Sequence, residues 1–531
     1  MSYPRALPVG DAALTVELGD ALSPATNARV LALDRDLAKA PFEGFREAVP
    51  SHRSLLVLFD PAAVRFGALA GRLVARVARR GSPLVPGRLH EVEVVYGGEG
   101  GPDLAGLARE RGLSGSDLIR LHAGEPYAVF MLGFTPGFAY LGLLPEALES
   151  PRYATPRVRV PAGSVAVAGR QTAIYPVASP GGWRLIGRTS RRLFDPFRAE
   201  PALLAPGDRV RFVPVAELPP PEPASAAPAL PATPVVEVLE PGLLTMVQDA
   251  GREGYRRVGV SAAGPMDARA HATANRAVGN PAGAAALECT LRGPALAFLA
   301  PLRFAVAGAD LGAVLERADL GAWPVPPGAG VLARPGNVLR FAGRRSGCRA
   351  YVALQGGIDV PAVLGSRSTE LGSGFGGLAG RALAAGDRLG VRPAAGEGRA
   401  VPSDMPTQGD VTSASVRVVL GPQADHFDAG TMARFLASPW RVSSTSDRVG
   451  CRLEGEPLRH AGPAEILSDG MVPGSVQVPP DGRPIVVTAD GPTTGGYPKI
   501  ATVLTGDLPL LAQLVPGEGE LRFEAVRIED L

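Results

Sequence analysis

Lysine is nearly missing from this 531-residue sequence: of 54 basic residues, all but Lys39 and Lys499 are arginine. Guanidinium stays charged and planar, whereas an amine is compact and can lose its proton. A lysine that persists in such a background is a candidate for chemistry that arginine cannot perform. Lys39 ends an amphipathic helical pattern and reads as a solvated helix terminus. Lys499 sits in a glycine-rich stretch and reads as a site residue. Cysteine is equally sparse. Cys289, Cys348 and Cys451 are widely spaced with no CxxC pair, which argues against a disulfide framework or zinc site and points to a reduced cytoplasm. No uncharged apolar run approaches the ~20 residues of a membrane helix. The opening MSYPRALPVGDAAL lacks the basic-then-apolar order of a signal peptide. A net charge of +2 argues against a polyanion binder. GxxxxGK[ST], the GxSxG elbow and Cys/His catalytic signatures are all absent. GSGFGGLAG (372–380) lies among turns and not between a strand and a helix, so it reads poorly as a dinucleotide loop. His122, followed by Glu125, is a candidate general base without the further ligands of a metal site.

Length alone suggests three or four domains. Residues 1–85 alternate strand and helix signals: ALTVELG, a helix opened by Ser23, SLLVLFD, and a helix closed by Gly81. They predict a small α+β domain. From HEVEVVYG (90–97) a new strand set begins, with two short helices and then short strands between Gly/Pro turns. This predicts a barrel over 86–213. Residues 214–234 hold eight prolines in 21 residues, a semi-rigid linker and the sharpest domain boundary. Beyond it the pattern predicts a barrel-like unit at 235–391, a weak linker at 392–410 and a second barrel-like unit at 411–531.

Repetition supports this layout. VPAGSVAVAGRQTAIYPVASPGGWRLIG (160–187) is echoed by MVPGSVQVPPDGRPIVVTADGPTTGGYPKIA (471–501). Pro-Gly-Ser-Val recurs with Ala162 dropped, and Gly-Gly-Trp183 is matched by Gly-Gly-Tyr497. PGDRVRF (206–212), PGNVLRF (335–341) and PGEGELRF (516–523) each close a strand-rich segment.

Several polar residues lie in these motifs. Tight Gly-Gly turns let backbone approach a ligand. Gly182 with Trp183 and Gly496 with Tyr497 would flank a mouth, or else form packed barrel corners. Gln171, Thr172, Tyr175 and Ser179 suit an amide or carboxylate, or serve only as turn residues. A hairpin through 491–496 would bring Asp490, with Thr493 and Thr494, near Lys499 and hold the amine charged. The alternative is a partly exposed ion pair worth ~0–1 kcal/mol. Asp267, His271 and Asn275 fall at i, i+4 and i+8 of an alanine-rich helix. That stripe faces solvent, or lines a cleft against Asp249 and Arg252.

HAGEPYAVFMLGFTPGFAYLG, the 160–187 stretch and LFDP resemble the B subunit of bacterial 5-oxoprolinase, a family also known as allophanate hydrolase subunit 1 or as a sporulation-kinase inhibitor. TMVQDAGREGYRRVGV, GPMDARAHATANRAVGN, LGSRSTELGSGFGG, SDRVGCRLEG and the 471–501 stretch resemble the C subunit, or allophanate hydrolase subunit 2. The sequence therefore resembles a fusion of the two, similar also to the carboxyltransferase region of urea carboxylase. The resemblance implies a mainly β protein with α+β, in which a small N-terminal α+β domain is followed by cyclophilin-like β-barrels. It implies a hydrolase that opens the cyclic amide of 5-oxo-L-proline to L-glutamate with a separate A subunit. ATP with Mg would bind on, or be shared with, a partner. The substrate site would lie between the two halves. Gln171, Tyr175, Ser179 and Trp183 carry over from the first half. Asp249, Arg252, Asp267, Asn275, Asp447, Arg448, Asp490, Thr494 and Lys499 carry over from the second. Ala263 departs from the pattern, standing where a third glycine is usual.

Opening a lactam requires its carbonyl oxygen to be polarised or made a leaving group, with donors for the developing charge and a base for water. Lys499 and Arg252 are the candidate donors, and Asp490 or Asp267 the candidate base. No bound organic cofactor, metal, nucleic acid or membrane is expected; a homo-oligomer remains open. Two other readings compete. One is a carboxyltransferase or amide hydrolase for urea-like substrates, with its carboxybiotin carrier in trans because no Met-Lys-Met occurs here. The other is a regulator of a histidine kinase.

Overall fold

The structure is a computed structural model and describes residues 3–78, 87–230, 233–393 and 411–531. The predicted helix stop at Gly81 and residues 394–410 of the predicted second linker lie outside the described residues.

The N-terminal part is a four-stranded antiparallel sheet with two helices, Pro24–Lys39 and Phe66–Ala78. Ser23 caps the first helix, its hydroxyl accepting from Thr26 N at 3.4 Å, with Pro24 in the first turn. Strand Ser54–Phe59 shows how the sheet is used on both faces. Leu55 and Val57 pack with Val30, Leu37, Leu69 and Leu73 of the helices. Leu56, one residue out of phase, packs with Val472 of the C-terminal half. Two strands escaped the sequence reading, Arg5–Pro8 and Phe45–Pro50, because their runs are short and broken by Pro, Arg and Glu.

Residues 89–214 and 413–525 each form a closed seven-stranded barrel. With strands numbered in chain order inside each barrel, both close in the order 5-3-2-7-1-6-4. In both, the first strand runs parallel to the last: Leu89 pairs with Arg209, and Ser413 with Glu520. Each also carries a two-stranded ribbon, Arg157–Val160 with Ser179–Gly181 and Asp469–Gly470 with Thr494–Gly495. The Pro-Gly-Ser-Val echo becomes the fourth strand of each, Ser164–Ala168 and Ser475–Gln477. The unit between them is built differently. Residues 236–389 form a six-stranded and a five-stranded sheet around one core. Its PGNVLRF copy feeds strand Val338–Phe341, which pairs inside a sheet and does not close a barrel. Helix Ala268–Ala277 is alanine-rich because Ala270, Ala274 and Ala277 sit close against Ala305, Ala307 and Ala353.

Glu222 of the proline-rich segment accepts from Arg191 and Arg198 at 3.0 and 2.8 Å, which pins that segment to the first barrel. The two halves are in direct contact. Phe134 N donates to Thr494 Oγ1 at 3.0 Å, and a Cβ on Gly133 would stand 2.1 Å from that oxygen and 2.6 Å from Cγ2. Gly133→Ala is therefore expected to lower stability by about 1–3 kcal/mol through overpacking. Adding Thr494→Ala should recover part of the loss, as read by denaturant titration of the two variants.

Candidate functional site

Three segments meet where the halves touch. The turn before strand Ser54–Phe59 supplies Ser51, His52 and Ser54. The first barrel supplies Tyr140, Gln171 and Trp183. The C-terminal barrel supplies Gln423, Asp469, Thr494 and Lys499.

Lys499 begins strand Lys499–Val503, and its side chain is fully buried. The amine lies 3.6 Å from Asp469 Oδ2, beyond hydrogen-bond reach, and has no hydrogen-bond partner. Asp469 is held elsewhere. Ser54 Oγ donates to its Oδ1 at 2.5 Å, Gly470 N at 2.8 Å, and Gln423 Nε2 approaches Oδ2 at 3.4 Å. Burial works against the Asp469 charge, but Lys499, the Ser54 hydroxyl and Arg53 outweigh it and hold the carboxyl below its ordinary range. Burial lowers the Lys499 amine, and Asp469 opposes that shift. The result is a buried ion pair whose amine makes no close hydrogen bond.

His52 is buried beside this pair, with Phe130 and Tyr140 set edge-on to its ring at 5.8 and 5.5 Å. Gln171 Nε2 lies 3.3 Å from His52 Nε2. An amide nitrogen only donates, so the ring proton belongs on Nδ1, which has no partner. Burial pushes the imidazole down to about 3, so it is neutral at pH 7.

The two glycine turns converge on one side chain. A Cβ on Gly182 would stand 3.9 Å from Arg152 Cβ, and one on Gly496 would stand 3.9 Å from Arg152 Nη1. Trp183 packs edge-on to Phe138 and Tyr140, with ring centres 5.9 and 6.0 Å apart. Tyr175 is buried beneath, its hydroxyl 2.2 Å from where a Cβ on Gly181 would lie. Ser179 Oγ is buried without a partner, and Tyr497 is half-buried.

The expected pairing of Lys499 with Asp490 does not form. Asp490 is gripped by Arg448 through two 2.8 Å bonds, and Arg448 also bonds Glu288 and, at 2.8 Å, Gly264 O. Asp267 caps helix Ala268–Ala277, accepting from Ala270 N at 2.9 Å and Gln513 Nε2 at 2.8 Å. His271 and Asn275 do not face solvent. Both are buried, bonding Gln248 O at 3.1 Å and Ala284 O at 2.9 Å. Asp249 receives the Ser366 and Ser368 hydroxyls and the amides of Gly251 and Arg367. Asp447 is exposed and holds its own turn through Val449 N at 2.8 Å. Arg252 is buried over the Phe375 ring and donates to Ser368 O at 2.6 Å. Among the described residues, none of these bonds to Lys499 or Asp469. Ala263 adopts φ 52°, so the loop keeps a left-handed turn even though alanine stands there.

His122 is not a base in a cleft. It lies in the first barrel's core between Tyr96 OH at 2.7 Å and Thr172 Oγ1 at 2.9 Å, pushed down to about 3 by burial. Cys289, Cys348 and Cys451 are free and buried, and burial pushes the Cys289 thiol up to about 12. Among the described residues, no three of His, Cys, Asp or Glu gather to hold a metal ion, and no helix is long and apolar enough to cross a membrane. A cavity of about 290 Å³ lies apart from Lys499, against Asp249, Asn280, Arg367 and Arg392.

Sequence reasoning missed His52, Asp469 and Arg152. Asp469 had a usable signal: it stands just before the repeated Pro-Gly-Ser-Val, in the ribbon strand that pairs with Gly495. His52 and Arg152 had none, since both lie in irregular segments outside the repeated motifs.

The family model for the carboxyltransferase domain, subdomain C and D, matches residues 4–204, and that for subdomain A and B matches residues 258–525. The first half is 45% identical over 219 residues to the B subunit of 5-oxoprolinase from Escherichia coli O157:H7, spanning 41% of this chain and 99% of that protein. The second is 40% identical over 291 residues to the C subunit of 5-oxoprolinase from Escherichia coli K12, spanning 54% of this chain and 89% of that protein. The chain belongs to the family of the 5-oxoprolinase B and C subunits. Regions similar to both lie in one polypeptide here, and the whole is similar to the crystal structure of TTHA0988, with a TM-score of 0.83 at 40% identity over 96% of this chain and 99% of that one. Of the buried cluster, Lys499 and Asp469 come from the half similar to the 5-oxoprolinase C subunit, and His52 and Gln171 from the half similar to its B subunit.

Proposed function

We propose that this chain is the B and C component of an ATP-dependent 5-oxoprolinase, opening 5-oxo-L-proline to L-glutamate together with a separate A subunit, in the cytoplasm. One observation carries the reading most directly: the unfilled Lys499 amine, buried where the two halves meet. A lactam nitrogen shares its lone pair with the carbonyl, so the carbonyl carbon resists water until the oxygen is polarised or phosphorylated. ATP supplies the phosphoryl group. Lys499 is placed to donate to the oxygen as negative charge builds there, and Asp469 holds the amine in position. The His52 Nδ1 proton and the Gln171 amide are set to hold the lactam group, and neutral His52 donates without adding charge. In this reading Trp183, packed on Phe138 and Tyr140, and the half-buried Tyr497 are the walls of the substrate's entrance.

The test combines the purified chain, an A-type subunit, ATP and 5-oxo-L-proline, and follows glutamate and ADP together. Equimolar ADP and glutamate that need all three components are the expected result. The carboxyltransferase name of the matching family models supports a second reading. Activity only with a carboxybiotin carrier and a urea-like acceptor would favour it.

A further inference from the structure

Around Lys499 every cation faces a carboxylate. Arg53 approaches Glu17 at 3.4 Å, Arg5 reaches the same carboxylate, and Lys499 faces Asp469. At the two glycine turns this pairing stops. Arg152 is exposed and, among the described residues, no carboxylate lies within ion-pair distance of it. Glu465 acts on Tyr497, as Arg152 does, yet forms no ion pair with it. Arg152 nevertheless lies against both turns. Its guanidinium lies 5.9 Å from the centre of the Trp183 ring, its stem backs onto Gly182, and its Nη1 faces Gly496. Of the two glycines only Gly182 is tight, since a Cβ there would stand 3.3 Å from the Tyr153 carbonyl, whereas one on Gly496 would meet ordinary contacts no nearer than 3.6 Å. Trp183 links Arg152 to the buried cluster, its ring 6.0 Å from that of Tyr140, which in turn stands 5.5 Å from that of His52, and the charge of Arg152 is felt at His52, Tyr140 and Tyr175.

We infer that Arg152 is the carboxylate-recognising residue of the site, pairing with the acid group of a small cyclic amide whose lactam end reaches towards Lys499. The inference rests on the proposed reaction for the identity of that amide. Guanidinium presents paired donors that match a carboxylate, and a pairing of this kind distinguishes an amino-acid lactam from neutral urea. Arg152 makes no contact with the reacting bond, so it sets affinity and selectivity, not the chemical step.

Calorimetric titration of the full chain with 5-oxo-L-proline, and separately with its neutral amide, reads this contact without turnover. Wild type is expected to bind the acid, and Arg152→Gln to weaken that binding by about 30-fold or more. The amide should bind the two forms equally, and Arg152→Lys should restore part of the affinity. In the active complex, Arg152→Gln should raise KM for the acid with kcat within about threefold of wild type. Acid binding that survives Arg152→Gln, an equal loss for the amide, or no acid binding by wild type overturns the assignment. Arginine-dependent binding without ring opening would instead strike the proposed reaction and leave the recognition standing.

Discussion

Replacing Lys499 with arginine is expected to lower ring opening by about 10²–10³-fold, the effect of losing one aligned donor to a developing oxyanion. Both side chains can donate hydrogen bonds, so the loss would come from shape. Lys499 is fully buried, and its amine already sits 3.6 Å from Asp469 with nothing else in reach. A guanidinium at that place is longer and planar, and fills the space a substrate oxygen needs. Because overfilling could also unfold the barrel, a second variant separates the effects. Lys499→Met with Asp469→Asn removes both charges at similar volume, so the fold should hold while activity stays lost. Single Asp469→Asn should retain some activity, because the amine remains while its orientation is relaxed. Glutamate formation by the reconstituted complex, measured beside the denaturation midpoint, decides the matter. Ring opening unchanged in Lys499→Arg would remove the amine from the mechanism.

Local patterns in the sequence carried much of the fold. Ser23 before an amphipathic run marked a helix, and the doubled Pro-Gly-Ser-Val marked two barrels that prove to share one strand order. Near-absence of lysine singles out Lys499 in the sequence. What stayed illegible was pairing at a distance. Asp490 is nine residues from Lys499, which made it the natural partner, but the ribbon formed by 469–470 and 494–495 puts Asp469 there instead. Asp490 turns to Arg448, and that arginine is committed to Glu288, 160 positions earlier. Alanine-rich helix 268–277 posed a similar problem. Its polar stripe looked like a solvent face, yet the stripe is buried and satisfied by backbone carbonyls and Gln513. A period of 3.6 reports that one face differs, not what covers it.

Arg448 supplies the second large effect, one of stability. Its side chain is 4% exposed and stands between Glu288 and Asp490, which are 1% and 5% exposed. Arg448→Met would leave two carboxylates buried without their cation, at a cost of about 3–5 kcal/mol at pH 7. The pH dependence fixes the cause. Burial alone would raise the Glu288 carboxyl, but Arg448 and Arg349 outweigh it and hold the folded value below the ordinary 4.5. A depressed carboxylate contributes stability above its unfolded pKa, and that contribution is lost as pH falls through the folded value. Wild type should therefore lose stability below about pH 4.5. Without Arg448 the largest charge opposing burial is gone, so the folded value moves upward and less stability is lost in acid. The gap between wild type and Arg448→Met should be widest near neutrality and shrink in acid, and adding Glu288→Gln should recover part of it at pH 7. Guanidinium titrations across pH 3–8 measure all three forms. A variant that keeps wild-type stability at every pH yet loses ring opening would move Arg448 and Asp490 out of the scaffold and back into the site.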